Sequence, residues 1–335
     1  MVQPRRPGSG LAPHPPRHDH ACQGSLRAAV SQRTAVWKAD LVLAFIALIW
    51  GSTFVVVKSA LGGASTMLFL TLRFSLAALA LAILFRGRFT PGGKNLRCTI
   101  QGGVAAGLVL IASYYFQTQG LRFTTPSKSA FITGLSVVLV PMLAALAHRS
   151  APGLSEIAGV LAATAGMALM TIRWEDLRMD KGDVLTLACA LGFAIHILMV
   201  GRYSRAGNFE VLSLTQIATA ALAGGLSFWW METPRLVWSA SLAGALAVTA
   251  LLATALAFTA MAWAQQHTSA THTALIFSLE PVFAWFTSWL VEGETLGRTA
   301  AIGAGLILAG ILTVELKPFG RQSHPTKVEG TAGSV

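Results

Sequence analysis

Residues 124–147 read TTPSKSAFITGLSVVLVPMLAALA, and residues 268–291, 144 positions further on, read TSATHTALIFSLEPVFAWFTSWLV. Extended to 124–169 and 268–313, the two stretches align without a gap and share 10 identities in 46 positions. Leu135 falls on Leu279, Gly159 on Gly303 and Gly166 on Gly310, and each copy holds two apolar segments. The repeated unit is a set of hydrophobic helices, and repeated helix sets in a bilayer point to transport.

Composition places the whole chain in a membrane. Of its 335 residues 54% are hydrophobic and only 12% charged, with a mean hydropathy of +0.61, against about 25% charged residues in an ordinary soluble domain. Runs of roughly 18–25 residues with few charges mark spans. They fall near 41–60, 64–85, 99–118, 127–147, 155–172, 183–201, 211–231, 240–262, 268–291 and 299–316. The expected fold is an all-α integral membrane protein of ten transmembrane helices in two five-helix sets, residues 40–173 and 181–316. The first 38 residues are Pro-rich, basic and without a sustained apolar run, which predicts a disordered tail. A second polar tail, 317–335, is expected to be disordered too. No apolar stretch precedes Leu41, so the leader does not read as a signal peptide and the first span stays in the membrane.

With a cytoplasmic N-terminus, inside segments hold 16 Lys and Arg, outside segments hold 8, and Arg73 lies within the second span. The twofold excess obeys the positive-inside rule and predicts that both termini are cytoplasmic. The net charge of +11 is thereby a matter of topology, not a nucleic-acid surface, since the basic residues are scattered over loops that bracket apolar helices. Cys22, Cys98 and Cys189 frame neither a disulfide scaffold nor a metal site. Five crossings per half place the start of the second half on the opposite side of the membrane from the start of the first. The repeats must then be inverted, an arrangement that generates alternating access to a site near the midplane.

The run Leu48-Ile49-Trp50-Gly51-Ser52-Thr53-Phe54 with Lys58, followed by Arg73-Phe74, resembles the opening of EamA-type members of the drug/metabolite transporter superfamily. Residues 274–284, Ala274-Leu275-Ile276-Phe277-Ser278-Leu279-Glu280-Pro281-Val282-Phe283-Ala284, with Gly293-Glu294-Thr295-Leu296, are similar to that family's ninth-helix signature. The resemblance covers about 40–316. It implies a ten-helix, two-repeat carrier in the inner (plasma) membrane, often an exporter, for small metabolites such as amino acids or related compounds. The second half departs where Phe193-Ala194-Ile195-His196 stands opposite Trp50-Gly51-Ser52-Thr53.

Polar groups within spans are expensive and mark candidate sites. Arg73 lies near the middle of the second span, where a charge costs about 2.5–3.5 kcal/mol on insertion scales. Glu280 lies about half-way along the ninth. The functional reading makes Glu280 a proton-coupling or cation-binding group and Arg73 its partner or an anion site; the alternative is an internal Arg73–Glu280 ion pair or a snorkelling Arg73. Pro281 removes the backbone bond from its own nitrogen to the Phe277 carbonyl and predicts a kink beside Glu280. His196 is either a proton relay or a hydrogen-bonded packing residue. Lys128 and His272 occupy one repeat position and read as gate-lining groups at opposite membrane surfaces, or as interfacial snorkellers. Trp50, Tyr114 and Gln117, with Tyr115, Gln119, Gln216, Trp263, Gln265, Phe283 and Trp285, are candidates to line a cavity for flat or amphipathic organic solutes. Gly159/Gly166 and Gly303/Gly310 are seven apart, so each pair shares a helix face, as close helix packing requires.

No GxxxxGK[ST] sequence indicates an ATP-driven pump, and no HExxH or GxSxG indicates a membrane enzyme. The expected partners are the lipid bilayer, a small-molecule substrate and protons as coupling ion, with no nucleic acid, cofactor or metal. A polytopic membrane enzyme and a non-transporting subunit or sensor are the alternatives; the first needs polar residues clustered at one interface, the second needs no inverted symmetry.

Overall fold

The computed structural model describes residues 18–87, 95–149, 152–171, 180–292 and 297–315. Among them there is no β-strand; the helices are α1 (His18–Ala60), α2 (Thr66–Leu84), α3 (Leu96–Gly120), α4 (Pro126–Gly134), α5 (Ser136–His148), α6 (Leu154–Thr171), α7 (Lys181–Ala206), α8 (Phe209–Met231), α9 (Ala240–Ala250), α10 (Ala257–Ala264), α11 (Ala270–Phe277), α12 (Glu280–Glu292) and α13 (Arg298–Glu315). A π-helical segment, Leu251–Leu256, joins α9 to α10. Seven stretches among the described residues are long and apolar enough to cross a bilayer, and Leu154–Met170 and Arg298–Val314 are shorter apolar helices. Lipid-facing positions carry bare hydrocarbon: Leu146, Leu154 and Leu226 are 78%, 87% and 72% exposed. Water does not tolerate a surface continuous in such side chains, and acyl chains do. The chain is a multi-pass membrane protein.

Three helices depart from the uninterrupted spans read in the sequence. Two breaks fall at corresponding positions of the repeat, between α4 and α5 at Leu135 and between α11 and α12 at Ser278–Leu279. At the second, Ser278 N and Leu279 N bond back only three residues, to Leu275 O (3.1 Å) and Ile276 O (3.0 Å). Pro281 lacks the donor that would bond Phe277 O, which weakens the turn there. At the first, Leu135 N likewise bonds Ile132 O, 3.2 Å. Both broken helices start with the same cap: Thr125 accepts from Lys128 N (3.2 Å) and Ser269 from His272 N (3.0 Å), satisfying donors a helix start leaves open. The third departure is at the other end of the chain. Helix α1 takes in residues 18–38, part of the leader read as disordered; after Arg17 that stretch has no proline and is rich in Ala, Gln and Arg, which favour helix. Residues 1–17, 316–335 and the Gly293–Leu296 part of the ninth-helix run lie outside the described residues.

Close backbone approach organises the packing. Helix α6 lies against α13, α3 against α7 and α8, α2 against α8, and α1 against α10. A Cβ on Gly166 would stand 2.4 Å from Gly303 O, and one on Gly159 2.7 Å from Gly310 O. The residue numbers rise along α6 as they fall along α13, so these helices run antiparallel and touch at the glycines of both copies. A small satellite core, Val137, Val160, Ala163, Met167, Leu275 and Ile307, sits beside that seam.

Candidate functional site

A cavity opens between α1, α2, α3, α4, α7, α10 and α11, reaching the first residues of α5 and α12. The cavity volume is about 60 Å³, room for several waters at about 10–15 Å³ each. Its wall brings together six of the sequence candidates: Trp50, Arg73, Tyr114, Gln117, His196 and Glu280. Gly51 makes this possible at one corner, since a Cβ there would stand 2.5 Å from Glu280 O. Helix α1 therefore meets the start of α12 backbone to backbone, and Trp50 and Glu280 share the wall.

Arg73 is 3% exposed and has no acidic partner among the described residues. Its Nε donates to Thr254 Oγ1 (2.7 Å), and Nη2 donates to Tyr114 OH (3.1 Å) and, at the limit of a bond, to Ala253 O (3.5 Å). The guanidinium lies over the Tyr114 ring, 4.4 Å from its centroid, a cation–π contact. Ala253 O also accepts from Trp50 Nε1, 2.9 Å. Both Ala253 and Thr254 belong to the π segment, whose wider turn leaves a carbonyl facing inward; Thr254 Oγ1 in turn donates to Thr249 O, five residues back, at 2.8 Å. Nothing in the composition of Leu251–Leu256 announces this, so Thr254 and Ala253 escape sequence reasoning.

No ion pair joins Arg73 to Glu280 among the described residues, which removes the direct internal pair as the explanation of either. Glu280 opens α12 just after the break and faces the same cavity as Arg73. His196 is buried, with Nε2 against Gln216 Oε1 at 2.8 Å. Gln117 Nε2 donates to Thr133 Oγ1 at 3.2 Å. The apolar wall is aromatic: Trp50 meets Phe258 and Phe277 at 5.3 and 4.9 Å between centroids, and Tyr114 meets Phe193 at 5.1 Å. Phe258 and Phe277 are not among the sequence candidates for the wall, and Phe283, which is, does not line it.

Lys128 and His272 are not part of the cavity wall. Lys128 Nζ pairs with Asp183 Oδ2 at 2.7 Å, and His272 Nε2 lies 2.9 Å from Asp40 Oδ1. Asp183 also accepts from Thr124 Oγ1, 2.8 Å. Asp40 and Asp183 are themselves 143 positions apart, so both partners recur in the repeat. That spacing is the signal that marks them, and it is missed when an acid at a span end is read only as solvated. Of the further candidates, Gln216 meets His196, while Gln119 accepts from Thr66 Oγ1 at 2.7 Å and is occupied outside the cavity. Tyr115, Trp263, Gln265, Phe283 and Trp285 do not line it.

A multi-pass helical protein with a mixed polar and aromatic cavity at its centre has the construction of a membrane transporter. The EamA-like transporter family matches twice, over residues 37–172 and 180–316, and the chain belongs to that family. An uncharacterized transporter of Archaeoglobus fulgidus is 34% identical over 279 residues, 83% of this chain and 86% of that one. The uncharacterized transporter YyaM of Bacillus subtilis is 25% identical over 290 residues, covering 82% and 92%. A protein of known crystal structure shares the fold with a TM-score of 0.69 at 19% identity, covering 83% of this chain and 96% of its own.

Proposed function

We propose that this chain is a secondary carrier that exports a small organic metabolite bearing charged groups, an amino acid or a related compound, across the inner membrane by alternating access. The observation that carries the reading is the bipolar cavity: Arg73 and Glu280 face one space from α2 and α12, are not paired with each other, and are flanked by aromatic rings. A buried cation without an acid is costly, and a solute with an anionic group compensates it. Glu280 serves a cationic group of the solute or a coupling proton. Trp50, Tyr114 and Gln117 shape the solute's pocket, and His196 is a secondary candidate for the proton.

In this reading ten transmembrane helices form two inverted repeats, residues 40–173 and 181–316, with both termini cytoplasmic. The seven long apolar stretches supply seven spans, the two shorter apolar helices two more, and α11 with α12 the tenth. Several observations support inversion. Helix α6 and its counterpart α13 run antiparallel, the helix breaks recur at Leu135 and Leu279, and the packing of α3 on α7 is matched by that of α1 on α10. Gly159, Gly166, Gly303 and Gly310 hold the seam between the halves. The chain performs no chemistry on its solute in this account.

The test is flux in proteoliposomes. Against candidate amino acids, Arg73→Ala abolishes uptake while Arg73→Lys retains part of it, and Glu280→Gln removes the acceleration by an imposed pH gradient. Unchanged gradient-driven flux in Glu280→Gln removes Glu280 from the mechanism, and full flux in Arg73→Ala removes the bipolar cavity as the site.

A further inference from the structure

The cavity lies between two groups of helices, and two cations tie those groups together at its opposite ends. Helices α3 and α4 pack on α7 and on each other on one side; α10 and α11 both pack on α1 on the other. Lys58, near the end of α1, donates from Nζ to Thr124 O (2.9 Å) and to Leu121 O, across to the α3–α4 junction. Arg205, at the end of α7, donates from Nε to Gln265 O (3.1 Å) and from Nη2 to Thr268 O, across to the α10–α11 junction. Leu121 and Thr124 correspond to Gln265 and Thr268 at the same shift of 144 that relates the repeats. The two contacts are one device built twice, with the cation on the first helix of each half and the accepting carbonyls just past the third.

Each junction is also anchored within its own group. Asp183 on α7 holds Thr124 and Lys128, and Asp40 on α1 holds His272. Helix α7 in its first turn and helix α1 just before its apolar span therefore each carry an acid, which fixes a junction of their own group, and near their last turn a cation, which reaches the junction of the opposite group. Anchors stay made when the groups separate at one end; the cation contacts do not. Val57 and Leu121, beside the Lys58 contact, line the cavity, and Met261, one turn before Gln265, lines it at the other end.

We propose that Lys58 and Arg205 are the two gate latches of this carrier, each closing one end of the cavity and released in turn. This rests on the carrier reading above. A cation near a helix end satisfies the carbonyls that the end leaves open, so a plain capping role is the competing account. Capping predicts loss of stability without sidedness; a latch predicts access from one side only.

The experiment reads access directly, without needing the solute. Cys22, Cys98 and Cys189 are replaced by alanine, Ser136→Cys places a thiol in the cavity wall, and a membrane-impermeant thiol reagent is applied to each face of sealed vesicles. Ser59 and Arg202 are exposed, so Ser59→Cys and Arg202→Cys in separate samples establish which face each end of the cavity meets. Lys58→Met is expected to raise the labelling rate of the cavity thiol on the order of tenfold from the Ser59 face and leave the Arg202 face unchanged. Arg205→Met is expected to do the reverse. Lys58→Gln, which keeps a donor and loses the charge, falls between wild type and Lys58→Met and serves if the methionine variant does not fold. Rates unchanged in Lys58→Gln and Arg205→Met, or raised equally from both faces, overturn the proposal. A cavity thiol that responds as expected while no candidate solute moves in proteoliposomes leaves the latches standing and sinks the carrier reading instead.

Discussion

Replacing Gly303 with alanine tests whether α6 and α13 meet as closely as the repeat glycines require. A Cβ on Gly303 would stand 2.6 Å from Gly166 O and 2.8 Å from Met170 Cγ, where ordinary contact begins at 3.4 Å. The methionine can swing away; the carbonyl belongs to a helix backbone and cannot. The helices must part by about 3.4 − 2.6 = 0.8 Å, which also loosens the contacts of Gly166, Gly159 and Gly310. Forcing one methyl into a well-packed contact costs about 1–3 kcal/mol. Gly305 lies on the same helix two residues on and has nothing within 4 Å of its would-be Cβ. Alanine there should be neutral or gain up to ~1 kcal/mol from helix propensity. Thermal unfolding in detergent, followed by the loss of monodisperse protein, compares the two variants with wild type. Gly303→Ala should unfold at a lower temperature and Gly305→Ala at the same or a higher one. Equal midpoints for the two variants refute the close seam.

Thr254→Val keeps the shape of the π segment but leaves Arg73 Nε without its 2.7 Å acceptor. A loss of about 1–3 kcal/mol of stability is expected, larger than for Thr313→Val, whose hydroxyl is exposed and bonds only its own helix. Trp50→Phe removes the donor to Ala253 O while keeping ring contacts with Phe258 and Phe277; fluorescence-detected stability should fall by about 1 kcal/mol, and solute affinity should change with it. Asp183→Asn leaves Lys128 without its carboxylate and weakens the Thr124 contact. Its loss of stability should be partly restored by the exchange Asp183→Lys/Lys128→Asp, and a double variant no better than the single one argues against the pair.

Much of the fold is written in composition, because a bilayer admits only helices and closed barrels, and runs this long and apolar are helices whose lengths its thickness sets. The α11–α12 break was legible in Pro281. Its counterpart at Leu135 was less so: Pro141 stands six residues beyond it, and the Gly134 that ends α4 is one of many glycines that apolar spans tolerate. The site was legible where polarity is costly: Arg73, Glu280 and His196 stand out in apolar spans and do converge. What completes the wall is backbone geometry and aromatic packing, and Phe258 does not differ in type from an exposed phenylalanine such as Phe45. The repeat marks Lys128 and His272 as a related pair, whereas their acids, Asp183 and Asp40, are harder to read because a charge at a span end has an ordinary interfacial explanation.

Alternating access by way of this one cavity is tested most directly by a single thiol at Ser136, in the cysteine-free background with Lys58 and Arg205 intact. Sealed vesicles are treated with an impermeant reagent from one face, then with a distinguishable one from the other. The account predicts that the thiol reacts from either face and that complete reaction from one abolishes reaction from the other. A thiol that reacts from one face only, however long the exposure, contradicts it.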